Sequence, residues 1–433
     1  MSGTADSRGL DAGESKDMER EKRLVHLRKM YYIMIDSVFI LIYFVRYLAI
    51  KYAGSQIIFG GKIFHFDDKM IPYQKIIFFC ILFHFFGLIL PKEKKITIKN
   101  VFGSSSGWTA FFYLQNAVET MLYLVTGYTM GVQISSTAAS LMMQIITLIS
   151  TDMLYFFLLF QRKLSGKNSM DITCVYLIPY LIKGSKSGLF SVFLYYIVIN
   201  TVLCAGKNIK KAVLYASGLV MLFFSYPYIY VASYYFKLGF MGKENFVLYV
   251  IENGRLFLQQ NGGPAVSALN YLTRRINALD VLILRNQIEN PDLFSFKTQI
   301  SYFLKGIFTS SAVNKVMSGF TKSMGTEFAN AAGMPEIGGM ETTLFGNICF
   351  SKQPLMIVFL YICFFSLLFY IIRRLNNGIL AVYLLTRVCW CFLTGTIQDL
   401  TYSLRTYIFI CILNLMLSKI NLPKRRCRYI IRI

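Results

Sequence analysis

The sequence predicts an all-α, polytopic integral membrane protein of about ten transmembrane helices with one large loop on the outer side. Three observations predict it. Hydrophobic residues make up 55% of the chain and mean hydropathy is positive, which argues against a soluble fold. Mostly apolar runs recur along the chain at about the 20-residue length needed to cross a bilayer. Basic clusters fall in every second segment between those runs.

Taken in order, residues 1–30 are polar, rich in Gly, Ser, Asp and Glu, and lack an apolar core. They predict a disordered cytoplasmic tail and not a cleavable signal peptide. Seven spans follow within 31–236, at 31–50, 74–90, 108–131, 137–160, 172–183, 188–205 and 212–236. Residues 237–353 form the large outward loop. Three more spans lie within 354–418, at 354–372, 378–395 and 405–418, before a basic cytoplasmic tail at 419–433. The fifth span is short and the last marginal, so the count lies between nine and eleven. Pro227 in the seventh predicts a kink.

The net charge of +23 would suit a nucleic-acid binder, but its distribution points elsewhere. Basic clusters at 20–29, 92–99, 162–167, 207–211, 373–374 and 424–432 occupy alternate loops and both termini. The positive-inside rule then puts both ends in the cytoplasm and the 237–353 loop outside. No nucleic-acid role is expected.

The outward loop is too apolar to be disordered. Asn261-Gly262-Gly263-Pro264 reads as a turn, and a helix is expected over 265–289 with Leu269, Leu272, Ile276, Leu279 and Ile283 on one stripe. Such a helix suits the membrane surface. A stretch at 298–320 predicts a re-entrant or surface helix. Of the cysteines, only Cys349 lies near this loop, so no internal disulfide holds it. No metal site is visible, and no cofactor is expected.

No Ser-His-Asp set, Walker A loop or dinucleotide loop is present. His84, in a span, reads as a hydrogen-bonded helix residue. Arginine, lysine and carboxylate remain, a set suited to displacing a phosphate leaving group, where fixed cations stabilise developing negative charge. Lys183 and Lys186 lie in the turn Lys183-Gly184-Ser185-Lys186-Ser187-Gly188; snorkelling at the interface is the plainer explanation. Arg274, Arg275 and Asp280 form a second group, readable equally as a salt-bridge network. Arg255, Arg285 and Arg405 are further cations, while Glu327, Glu336 and Glu341 are candidate acids or bases. Asp67-Asp68, in the first outward loop, fits a different polytopic class of lipid-sugar glycosyltransferase.

The layout resembles the Wzy-type oligosaccharide repeat-unit polymerases that build bacterial O-antigen and capsule. The likeness rests on the large loop before the last spans and on Ile182-Lys183-Gly184-Ser185-Lys186-Ser187. It also rests on the run from Tyr271 to Asp280 and on the Gly/Ala-rich run from Glu327 to Phe350. The family often has arginine in the turn where this chain has Lys186, a point charge without the bidentate fork.

The resemblance implies a GT-C-like enzyme of the bacterial cytoplasmic (inner) membrane. Such an enzyme transfers the growing glycan from undecaprenyl pyrophosphate to a new lipid-linked repeat unit. Membrane lipids surround it, and a chain-length regulator and a flippase are its expected partners. By the same resemblance, Arg274 and Arg275 would hold the pyrophosphate, Lys183 and Lys186 would assist, and Asp280 would act as base or orienting group. Arg255, Arg285, Glu341 and Arg405 would complete the substrate site.

Three rivals stand beside it. A polysaccharide ligase would carry a histidine in the 237–353 loop, and none is present. A flippase or transporter would show repeat symmetry and charges within spans, where Asp36, Glu119 and Asp152 are the acidic residues. A polytopic acyltransferase would show an early-span histidine and little extramembrane mass.

Overall fold

The computed structural model describes residues 22–52, 57–59, 62–64, 71, 73–97, 105–126, 148–183, 185, 187–203, 245–260, 296–308, 343–349, 351–375, 377–394 and 397–419, with scattered residues of 142–146 and 217–235. It is overwhelmingly helical, as the composition predicts.

The first helix runs continuously from Leu27 to Tyr52 as α1 (Leu27–Phe39), a π-helical segment (Ile40–Val45) and α2 (Arg46–Tyr52). Next come α3 (Tyr73–Ile89), α4 (Ser105–Thr126), α5 (Thr151–Leu164), α6 (Met170–Ile182) and α7 (Ser187–Leu203). From the large loop come α8 (Phe246–Gln260), α9 (Phe296–Ile307) and α10 (Thr343–Cys349). The chain closes with α11 (Pro354–Arg374), α12 (Gly378–Thr394) and α13 (Ile397–Lys419).

Two short antiparallel ladders complete the described residues: β1 (Lys22–Val25) with β4 (Lys94–Thr97), and β2 (Ile57–Phe59) with β3 (Lys62–Phe64). In the first, Lys22 faces Thr97 and Val25 faces Lys94. β1 and the start of α1 therefore occupy the end of the stretch read as a disordered tail. A four-residue strand has too little apolar content to stand out in sequence, and only pairing with a distant loop orders it.

Two helices, Leu27–Tyr52 and Pro354–Arg374, are long and apolar enough to cross a membrane. Tyr73–Ile89, Met170–Ile182, Ser187–Leu203 and Gly378–Phe392 are shorter apolar helices. All coincide with predicted spans. The fourth predicted span differs, because its apolar run at 137–160 is interrupted by a turn at 148–150 before α5 starts afresh at Thr151. Ser150 caps that start, its hydroxyl accepting from the Met153 amide at 3.3 Å, and Asp152 adds negative charge to the first turn.

Two groups of helices meet at α12. α1, α3, α9, α10, α11 and α13 form one, and α4 to α7 the other. α12 packs against α1, α10, α11 and α13 on one side and α5 on the other. Both α5 and α12 carry long apolar runs that are buried on every face. Ile379 to Leu385 and Met153 to Phe160 have almost no exposed surface. The first group is an aromatic core in which Phe83 lies 4.4 Å from Phe392 and 5.3 Å from Phe365, ring centre to ring centre. Arg28 fastens its edge, donating from Nε to the Leu90 carbonyl at 2.9 Å and from Nη2 to that of Leu88 at 2.8 Å. These are carbonyls that the end of α3 would otherwise leave unpaired.

Parts of the large loop belong to this bundle. α9 packs on α13 so closely that a Cβ at Gly306 would lie 1.8 Å from Thr401 Oγ1. Tyr361 of α11 donates to Gln299 of α9 and accepts from Asn347 of α10, each at 3.2 Å. The expected helix at 265–289 lies outside the described residues.

Candidate functional site

A buried polar cluster lies where the two helix groups join, and each central helix supplies one charge. Asp152 comes from the first turn of α5 and Arg387 from the middle of α12; they form an ion pair with side chains 15% and 9% exposed. Asp152 is fully engaged. Its Oδ1 accepts from Tyr176, and from Tyr180 at 2.9 Å, while Oδ2 accepts from Arg387. Tyr176 and Tyr180 sit one turn apart on α6, so a single helical face presents both hydroxyls. Arg387 also donates from Nε to the Tyr383 hydroxyl at 3.1 Å, one turn earlier on α12. Its Nη1 has no hydrogen-bond partner among the described residues.

Lys183 follows α6 as its C-cap, where the chain turns back toward α7. The turn is tight: the Ser185 amide donates to the Tyr180 carbonyl at 2.8 Å, and the Ser185 and Ser187 hydroxyls meet at 2.8 Å. Gly188 makes room for it, since a Cβ there would lie 2.5 Å from the Tyr180 ring. The Lys183 ammonium lies over two rings, 4.4 Å from the centre of Tyr180 and 5.5 Å from that of Tyr123. No carboxylate among the described residues is within ion-pair distance of it. Ring faces attract a cation but accept none of its hydrogen bonds in the way an oxyanion does.

Glu119 on α4 is the second buried carboxylate, only 7% exposed. Its Oε1 accepts from Tyr123 at 2.6 Å, and its Oε2 meets Thr151 Oγ1 at 3.4 Å. Gln115, one turn earlier, donates to the carbonyls of Ile146 and Ile149 at 3.0 and 2.7 Å, securing the turn that precedes α5. From the other side, Thr406 of α13 accepts the Ser150 amide at 3.1 Å. Arg405 stacks on Tyr402, 4.5 Å from the ring centre, and Tyr402 lies within electrostatic reach of Tyr383, Asp152 and Glu119.

Of the residues singled out in sequence, Arg405 lies over Tyr402 on α13, and Lys183 lies at the cluster. Arg255 does not join it; it is exposed on α8, which packs against residues of 228–235. Lys186, Arg274, Arg275, Asp280, Arg285 and Glu341 lie outside the described residues. Sequence reasoning weighed Glu119 and Asp152 only as marks of a transporter and passed over Arg387. Their signal was legible, since an ionisable residue inside an apolar span is a functional candidate by default.

His84 forms a separate group on the outer face of α1 and α3. Its Nε2 lies 2.9 Å from Asp36, its Nδ1 lies 2.7 Å from the Cys80 carbonyl, and Tyr32 stacks on the ring at 5.4 Å. A groove of about 520 Å³ runs beside it. The Cys80 thiol lies 3.7 Å from Nδ1. The ring is hydrogen-bonded, as its place in a span predicts, but it is not buried, since its side chain is 35% exposed. Among the described residues no group of three or more His, Cys, Asp or Glu side chains is arranged to hold a metal ion.

No protein family, curated protein or solved structure matches the chain.

Proposed function

We propose that the chain is a multi-pass membrane glycosyltransferase that polymerises lipid-linked oligosaccharide repeat units into a surface polysaccharide. It would take the growing glycan from undecaprenyl pyrophosphate and transfer it to a new lipid-linked unit at the outer face of the bacterial cytoplasmic membrane. One observation carries the reading: two cations, Lys183 and Arg387, belong to one polar cluster in an otherwise apolar bundle, each with donors that find no acceptor among the described residues. Open N–H groups in a low-dielectric site are suited to a pyrophosphate oxyanion, whose charge grows as the glycosidic phosphate bond breaks. The alternation of basic clusters supports an outward Lys183, because the turn after α6 falls between two basic segments.

The test is the surface glycan of a host strain with the gene deleted and then complemented by wild type or by Lys183→Met. The expected result is collapse of the glycan ladder to a single repeat unit, restored by wild type and not by the variant. A full ladder in the deletion strain refutes the polymerase. Long chains that stay on the lipid carrier identify a polysaccharide-to-lipid ligase.

A second reading, a flippase for the same lipid-linked units, is favoured by the interrupted span before α5 and by the buried Asp152–Arg387 pair. Broken helices and paired charges at mid-membrane are common in transporters. Loss of all surface glycan, with units accumulating on the inner leaflet, supports that reading over the first.

A further inference from the structure

We propose that Glu119 is the general base of the transfer, an assignment that rests on the polymerase reading above. The described cluster holds two buried carboxylates in opposite situations. Asp152 is held by three donors: a guanidinium on one oxygen and two tyrosine hydroxyls on the other. A carboxylate committed to an ion pair in this way serves to fix Arg387. Glu119 faces no cation within ion-pair distance among the described residues. Its Oε1 is fixed by Tyr123 at 2.6 Å, and its Oε2 has only the long 3.4 Å contact to Thr151. The Tyr123 ring that fixes Glu119 is also one of the two beneath the Lys183 ammonium. One aromatic side chain therefore sets the spacing between the open carboxylate oxygen and the open cation. The reaction needs a base and a cation set apart in this order, with an acceptor hydroxyl on one side of the anomeric carbon and a departing pyrophosphate on the other.

In the step, the acceptor hydroxyl oxygen forms a bond to the donor's anomeric carbon as its proton passes to Glu119 Oε2. The bond from that carbon to the phosphate oxygen breaks, and its electron pair leaves with the lipid pyrophosphate, held by Lys183 and Arg387. Glu119 returns the proton to water when product leaves. Tyr123 orients the base without touching substrate.

The experiment uses the full-length protein in nanodiscs and in the complemented deletion strain. The binding probe is undecaprenyl pyrophosphate itself. Glu119→Gln is expected to bind it within about threefold of wild type and to lose chain extension at least a hundredfold, consistent with a general base contributing 10²–10⁴. Glu119→Asp, with a shorter but still acidic side chain, is expected to recover part of the ladder. Three results overturn the assignment: normal ladders from Glu119→Gln, loss of probe binding in Glu119→Gln, or no recovery with Glu119→Asp. Failure of the polymerase reading looks different, since deletion of the whole gene then leaves the ladder intact, removes all surface glycan, or leaves long chains on the lipid carrier.

Discussion

The Asp152–Arg387 pair joins the two helix groups, so its removal is the sharpest test of the architecture. In Asp152→Ala the Arg387 guanidinium loses its counter-ion while its side chain is 9% exposed, and the Tyr176 and Tyr180 hydroxyls lose their acceptor. Removing one partner of a buried pair costs about 3–5 kcal/mol. Arg387→Ala costs less, about 2–3 kcal/mol, because both tyrosines still donate to the carboxylate left behind. The double variant leaves no stranded charge. Its cost is expected to fall short of the sum of the singles by about 2–3 kcal/mol. A reversible SDS titration in mixed micelles measures each value. The only two tryptophans are Trp108 on α4, which reports on one group, and Trp390 on α12, which reports on the helix where the groups meet. Additivity within about 0.5 kcal/mol refutes the coupling and the joint built on it.

Further expectations follow from the packing. Gly306→Ala puts a methyl 1.8 Å from Thr401 Oγ1 and 2.5 Å from the Gln398 carbonyl, and the same titration should show a loss of about 1–3 kcal/mol; wild-type stability would mean that α9 does not lie on α13. Arg28→Gln strands the carbonyls of Leu88 and Leu90 and should speed hydrogen exchange at the Leu90 amide, which closes the last turn of α3 on Gly87. Ser150→Ala removes the cap of α5, at a cost of about 1 kcal/mol, and should deprotect the Met153 amide; unchanged exchange there would place the start of α5 elsewhere.

The helical class and most helix positions were legible in sequence because hydropathy acts locally. Tyr73–Ile89 and Pro354–Arg374 match apolar runs almost end to end. The start of α5 was harder to see. Ser150-Thr151-Asp152 is a cap-like signal, yet it sits inside a longer apolar run that masks it. The cluster itself depends on pairings across 235 residues between Asp152 and Arg387 and across 256 between Ser150 and Thr406, which no local pattern encodes. Lys183 was found because a cation in a Gly/Ser turn is conspicuous. Arg387 was missed because a lone arginine in a long apolar run reads as an interruption.

The distance along the chain between Asp152 and Arg387 also has a consequence in time. With 235 residues between them, synthesis at about 5–20 residues per second leaves the carboxylate waiting roughly 10–50 s for its cation. During that interval Tyr176, Tyr180 and the Lys183 ammonium over the Tyr180 ring, made within about three seconds of it at about ten residues per second, are at hand. The nascent protein thus passes through a stage in which α4 to α7 hold the carboxylate without its guanidinium, and α12 completes the pair on arrival. A chain that stops before α12 keeps that carboxylate without its ion-pair partner, which gives quality control a physical mark for recognising unfinished copies.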